Sequence, residues 1–204
     1  MTAVDLALGT STRTRLLDAA AELFYAEGVG VGVAALCEAA GVSKRSMYQL
    51  FDSKEELLAA SLARSVPGYL ASLLPASGAV TSSREQILSV FERLEAVIAA
   101  PGFRGCPYVT VATEVKAPEH PARAVAQEFH DTLTAHFRAA AQGLSVLDPD
   151  LLAQQLTLVH DGATARAVVH GVPTPGLAHA TATALVDAAA RIDAQPVPGA
   201  VTLG

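Results

Sequence analysis

An all-α chain of about nine helices is what this sequence predicts, and three observations carry the prediction. Of the 204 residues, 51% are apolar but only 5% are aromatic, and alanine, the best helix former, is abundant. Apolar residues recur three and four apart over long stretches, with no internal repeat and no parallel-sheet pattern. Serine, threonine and aspartate stand ahead of glutamate or proline at the offsets that open helices, and glycine or proline clusters close them.

The elements follow in order. Thr12 to Glu27 is amphipathic, with Leu16, Leu17, Ala20, Leu23 and Phe24 on one stripe. Gly28, Gly30 and Gly32 break it. Val33 to Ala40 is a short second helix with Leu36, Cys37 and Ala40 inward, closed by Gly41. Ser43 caps a third helix, Lys44 to Phe51, with Met47, Leu50 and Phe51 as its buried positions. Ser53-Lys54-Glu55-Glu56 opens a fourth helix, which Pro67 and Gly68 should kink or break. "LLPASGAVTSS" is a loop. Ser83-Arg84-Glu85-Gln86 opens a fifth helix, reaching Ala99, with Ile87, Val90, Phe91, Leu94 and Ile98 inside. Tyr108 to Val115 is a short, nearly apolar helix. A long helix runs from Pro118 to about Gly143, with Val125, Phe129, Leu133 and Phe137 at near-heptad spacing. Asp148-Pro149 opens the eighth, to about His170. Leu177 to Asp193 is the last. The expected organisation is a three-helix head over residues 1–53, a larger helical region over 54–194, and a disordered tail over 195–204.

The head carries the most specific signal. Short helix, glycine turn, short helix is the helix-turn-helix plan. Gly41 tolerates the turn, Cys37 is small enough for two helices to approach, and Val42 and Met47 close a small core. Ser43, Lys44, Arg45, Ser46, Tyr48 and Gln49 are left on or beside the outer face. In such a unit the second helix enters the major groove. Arginine matches the acceptor pair of guanine, while lysine and tyrosine suit phosphate oxygens. The Lys54 amide, at a helix start, also favours phosphate. The net charge of −6 argues against a nonspecific nucleic-acid coat, but local cations can still make a contact surface.

The stretch "TRTRLLDAAAELFYAEGVGVGVAALCEAAGVSKRSMYQLFDSKEELLAA", Thr12 to Ala60, resembles the DNA-binding domain of the TetR/AcrR family of transcriptional regulators. The resemblance implies an all-helical homodimer whose first three helices bind operator DNA, and whose larger domain binds a small molecule and dimerises. Most such proteins are repressors released by ligand. Ser43, Lys44, Arg45 and Ser46 match the front of the recognition helix, Tyr48 the aromatic that contacts phosphate, and Lys54 the lysine after that helix. One position departs from the pattern. Many members place threonine or serine at the start of the second helix, where this chain reads Gly32-Val33-Ala34, so phosphate binding near Val33 falls to backbone amides.

Beyond Val80 the residues are less specific. Candidate liners of an effector pocket are Phe91, Leu94, Cys106, Tyr108, Val111, Phe129, Leu133, Phe137 and Leu156, with Glu114 and His160 as candidate polar anchors. Such a set suits a small hydrophobic effector, and ordinary core packing is the competing reading for each residue. Small residues on the last two long helices, among them Gly162, Ala163, Ala165, Ala184 and Ala188, permit close packing. With Leu151, Leu152, Leu156, Val159, Leu185 and Ile192 they suit a four-helix dimer interface. Two alternatives remain beside the ligand-released repressor. One is a helical small-molecule-binding module with weak or lost operator binding. The other is a thiol-based redox or electrophile sensor acting through Cys106, against which stands plain packing of that thiol.

No signal-peptide pattern and no membrane-spanning run is present, so a cytoplasmic protein is expected. GxSxG, GxxxxGK[ST], HExxH and Rossmann fingerprints are all missing, as is any His/Cys cluster at metal-ligand spacing. Neither an enzyme nor a metal or other cofactor is expected.

Overall fold

In a computed structural model, residues 11–76, 78 and 82–193 are described. They form nine α-helices: α1 (Thr12–Glu27), α2 (Val33–Ala40), α3 (Lys44–Tyr48), α4 (Lys54–Leu73), α5 (Ser83–Ala99), α6 (Pro107–Glu114), α7 (Pro121–Gln142), α8 (Pro149–His170) and α9 (Leu177–Asp193). The tail expected to be disordered, residues 195–204, lies outside the described residues.

The chain forms two compact units. One holds the described residues up to Val66 together with Pro107–Gln127; the other holds Pro67–Cys106 and the described residues from Glu128 onward. This division does not follow the boundary expected after residue 53, because the first part of α4, all of α6 and the start of α7 join the head.

In the first unit, α1 packs on α2 and α3. Its core is Leu16, Leu17, Phe24, Leu36, Cys37, Met47 and Phe51, joined by Leu57 and Leu58 of α4 and by Tyr108 and Val111 of α6. α2 ends at Gly41 in the left-handed conformation (φ 62°), with the Gly41 amide on Glu38 O and the Val42 amide on Cys37 O. A residue with a Cβ would be strained there, and this turn sets the angle at which α3 leaves.

Three expectations need correction here. α3 ends at Tyr48 rather than Phe51. The chain turns over Gln49 and Leu50, so Leu50 is 39% exposed while Phe51 is buried. Pro67 and Gly68 do not break α4. Both sit on an exposed face, where the missing amide bond and the crowding of the Ala63 carbonyl are relieved towards solvent.

In the second unit, α5, α8 and α9 pack on one another. Phe91 of α5 and Phe137 of α7 stack with ring centroids 5.5 Å apart. The capping box of α5 lies one residue earlier than expected: Ser82 Oγ, not Ser83, accepts the amide of the third helical residue, Glu85, at 3.1 Å. Asp148 caps α8 as its sequence predicts, accepting from the Leu151 amide at 2.9 Å. The start of α9 is held by Glu95 of α5, whose two oxygens accept from Gly176 N and His179 N at 2.7 and 3.1 Å. The stripe of α7 uses Ala126, Phe129, Leu133 and Phe137, with Val125 only half-buried.

Candidate functional site

The front of α3 is set by serine. Ser43 Oγ accepts the Ser46 amide at 3.0 Å and pairs with the Ser46 hydroxyl at 2.9 Å. Both hydroxyls therefore orient the first turn. Lys44, Arg45, Tyr48 and Gln49 are exposed on this short helix, and Ser46 is half-buried. Beneath them Met47 has no exposed surface and anchors the helix. The arrangement presents two cations, a phenol and an amide on a surface stiffened from below.

Two neighbours frame it. α2 starts at Val33 behind Gly32, with no side-chain cap, so its first-turn amides are the polar groups at that corner. Lys54 begins α4, but its ammonium is turned inward. Nζ donates to Val29 O at 3.0 Å and to Val31 O at 3.3 Å. Its side chain thus braces the α1–α2 loop, which leaves its backbone amide at the helix start as the group suited to phosphate.

The same loop is gripped from α6. The Val29 amide donates to Glu114 Oε2 at 2.9 Å. At φ 84° any residue with a Cβ would be strained at Gly28, and that Cβ would also press on the same oxygen at 3.0 Å. Glu114 is exposed and committed to this bond. Of the two readings open to it, polar anchor or solvated edge, the exposed position matches the second. The end of α6 is itself held by Arg123 of α7, whose Nη1 donates to Ala112 O at 3.0 Å and Val115 O at 2.9 Å. Neither the Glu114 nor the Arg123 contact is local in sequence, and no spacing rule announces them.

The apolar candidates are all buried. Phe91, Leu94, Phe129, Leu133, Phe137, Leu156, His160 and Cys106 lie in the second unit, and Tyr108 and Val111 in the first. Tyr108 donates its hydroxyl to Leu62 O at 3.5 Å. Cys106 is 1% exposed, which favours the packing reading of that thiol over the sensor reading. Cys37 is buried too, and burial pushes its thiol pKa up, with Lys44 partly opposing; an unreactive, protonated thiol follows. No disulfide joins the two.

The outer faces of α8 and α9 are apolar. Leu151, Leu158, Val168, Val169 and Leu177 are exposed, Leu158 by 71% and Val169 by 78%. Leu152 and Leu156, expected on a dimer face, are instead in the core. An open groove of about 320 Å³ runs between Leu147, Leu151, Leu185 and Ala189. The side chain of Ile192 lies outside the described residues. Among the described residues no group of three or more His, Cys, Asp or Glu is placed to hold a metal, and no helix is long and apolar enough to cross a membrane.

Residues 16–61 match the family model described as bacterial regulatory proteins, tetR family. Among solved structures, the chain is 54% identical to a tetR transcriptional regulator from Streptomyces avermitilis, covering 88% of this chain and 98% of that one with a TM-score of 0.84. A TetR-family transcriptional regulator from Streptomyces coelicolor is 25% identical, over 90% and 96% of the two chains, with a TM-score of 0.76. The reduced form of NemR from E. coli is 25% identical, over 88% and 97%, with a TM-score of 0.71. No curated protein sequence matches significantly.

Proposed function

Because this chain belongs to the tetR family of bacterial transcriptional regulators, we propose that it is a homodimeric repressor, whose paired α3 helices hold a palindromic operator until a small, largely apolar effector releases them. The observation that carries the DNA-binding half is the front of α3, where Lys44, Arg45, Tyr48 and Gln49 stand exposed above a buried Met47. Arg45 reads a guanine edge. Lys44, Tyr48 and the first-turn amides at Val33 and Lys54 take phosphates, and Ser43 and Ser46 hold the turn. The missing hydroxyl at Val33 lowers affinity without removing the site.

Dimerisation uses α8 and α9, whose exposed leucines and valines gain by being covered. The effector is held among the aromatic side chains of the second unit. Within the head, Glu114 at the end of α6 holds the loop that leads into α2. Burial of Cys106 makes thiol sensing the weaker alternative.

Fluorescence anisotropy on the DNA upstream of the chain's own gene tests this reading. Tight, salt-sensitive binding by two chains per duplex is expected. Binding no tighter than to random DNA would leave only the module without operator function.

A further inference from the structure

α4, α7 and α8 bring Tyr69, Phe129, His130, His160 and Asp161 together in the second unit. The His160 side chain has no exposed surface, and its Nδ1 lies 2.9 Å from Asp161 Oδ1. A carboxylate only accepts, so Nδ1 is the donor of this pair, and in the neutral ring Nε2 then presents a lone pair. Nε2 is buried and meets no hydrogen-bonding group among the described residues. A buried acceptor with nothing to accept is uncommon and destabilising. The surroundings are aromatic: the Phe129 ring is 6.1 Å from His160 and 5.5 Å from Tyr69. His130 stands edge-on to Phe129 at 5.3 Å, and its Nδ1 is 3.6 Å from the same Asp161 oxygen. His130 and Asp161, 23% and 34% exposed, connect the buried ring with solvent.

We propose that this cluster is the polar end of the effector site, and that it takes an uncharged hydroxylated ring compound whose O–H donates to His160 Nε2. The inference rests on the effector-responsive reading and names the ligand class for it. Charge decides against the alternatives. An anion would approach a bare lone pair beside the Asp161 carboxylate and be repelled, and a cation would have to lose its water among aromatic rings. A neutral hydroxyl can donate to the His160 Nε2 lone pair, and its ring packs on Phe129.

The test is nitrogen-15 NMR of the histidine rings in the full chain without DNA, titrated with phenol, with toluene as its isostere and with benzoate. Phenol should shift the His160 Nε2 resonance upfield while Nδ1 stays protonated. It should bind about tenfold tighter than toluene, the worth of one hydrogen bond, and His160→Phe should erase that preference. His160→Gln, which can still accept, should keep part of it. If His160→Phe does not fold, the phenol and toluene comparison in the wild type still decides. Equal binding of phenol and toluene, or an unmoved His160 resonance, overturns the proposal. So does benzoate binding tighter than phenol with both ring nitrogens protonated. The readout needs no operator, so a chain that fails to bind DNA sinks the regulator reading alone. Operator release by a wholly apolar compound that leaves His160 unmoved sinks this inference alone.

Discussion

The outward faces of α3 and α8 are built of opposite materials. α3 turns Lys44, Arg45, Tyr48 and Gln49 to solvent; α8 turns Leu151, Leu158, Val168 and Val169 to solvent. Water satisfies the first face adequately, and it gains by releasing the counterions of a polyanion. Water does not satisfy the second, which gains by being covered. The two interfaces should therefore fail differently. Salt weakens the one on α3, while a charge planted in the apolar face weakens the one on α8.

The largest effect is expected on α8 and α9. Under the proposed dimer, Leu158→Glu with Ala184→Glu places unpaired charge in the face between the copies, and light scattering should find monomers. Operator affinity should fall about 100-fold or more, because two linked heads lose their shared effective concentration. A variant that stays dimeric would move the interface elsewhere. On the opposite face, Arg45→Ala should cost about 1–3 kcal/mol on the operator and relax preference at one base pair. Unchanged preference in a binding-site selection would show that another side chain reads that base.

Lys54→Ala separates a brace from a phosphate contact. Its ammonium is on the carbonyls of Val29 and Val31, so the variant should lose about 1–2 kcal/mol of folding stability while keeping the salt slope of DNA binding. A slope lower by about one unit with unchanged thermal stability would mean that Lys54 leaves the loop for the DNA.

The smallest effect is a pH dependence. Burial lowers the pKa of His130, with Asp161 opposing, and that of His136, with a backbone bond from Gln86 opposing, both from the ordinary value of 6.5. The unfolded chain therefore takes up protons first as pH falls through 6.5. Stability present above 6.5 is lost progressively below it, until the folded-state pKa values are passed. The loss is at most about 1.4 kcal/mol per pH unit for each histidine. Denaturant melts of wild type and His136→Gln between neutral and mildly acid pH check this, the variant showing the shallower decline.

The two faces also differ in how far the sequence discloses them. On α3 the rules are local. A serine cap, a glycine that accepts φ 62° and a buried methionine sit within seven residues, so helix, turn and outward side chains could all be read directly. Even there a five-residue helix ended early and left Leu50 outside, since periodicity does not say where a helix stops. On α8 the pattern is ambiguous. Apolar residues occur on more than one side, and spacing alone cannot tell which meet the core and which face outward, so Leu156 fits both a pocket and a dimer face in the sequence, and Leu152, expected on that face, is buried. The partner of Glu114 is hidden from the sequence for a related reason. A carboxylate near a pocket helix suggests an anchor, yet its partner, the Val29 amide, is 85 residues away. Pro67 shows the limit of a local rule, because a breaker on an exposed face is tolerated when the rest of a twenty-residue helix is held by packing.

One titration decides whether α3 of this chain reads DNA. Wild type and Arg45→Ala are compared on a palindrome from the upstream DNA and on random duplex, at one fixed salt concentration. Wild type should prefer the palindrome by about a thousandfold or more, and Arg45→Ala should lose part of that preference while retaining random-DNA binding weakened only slightly. Equal affinity of wild type for both duplexes would contradict that role for α3.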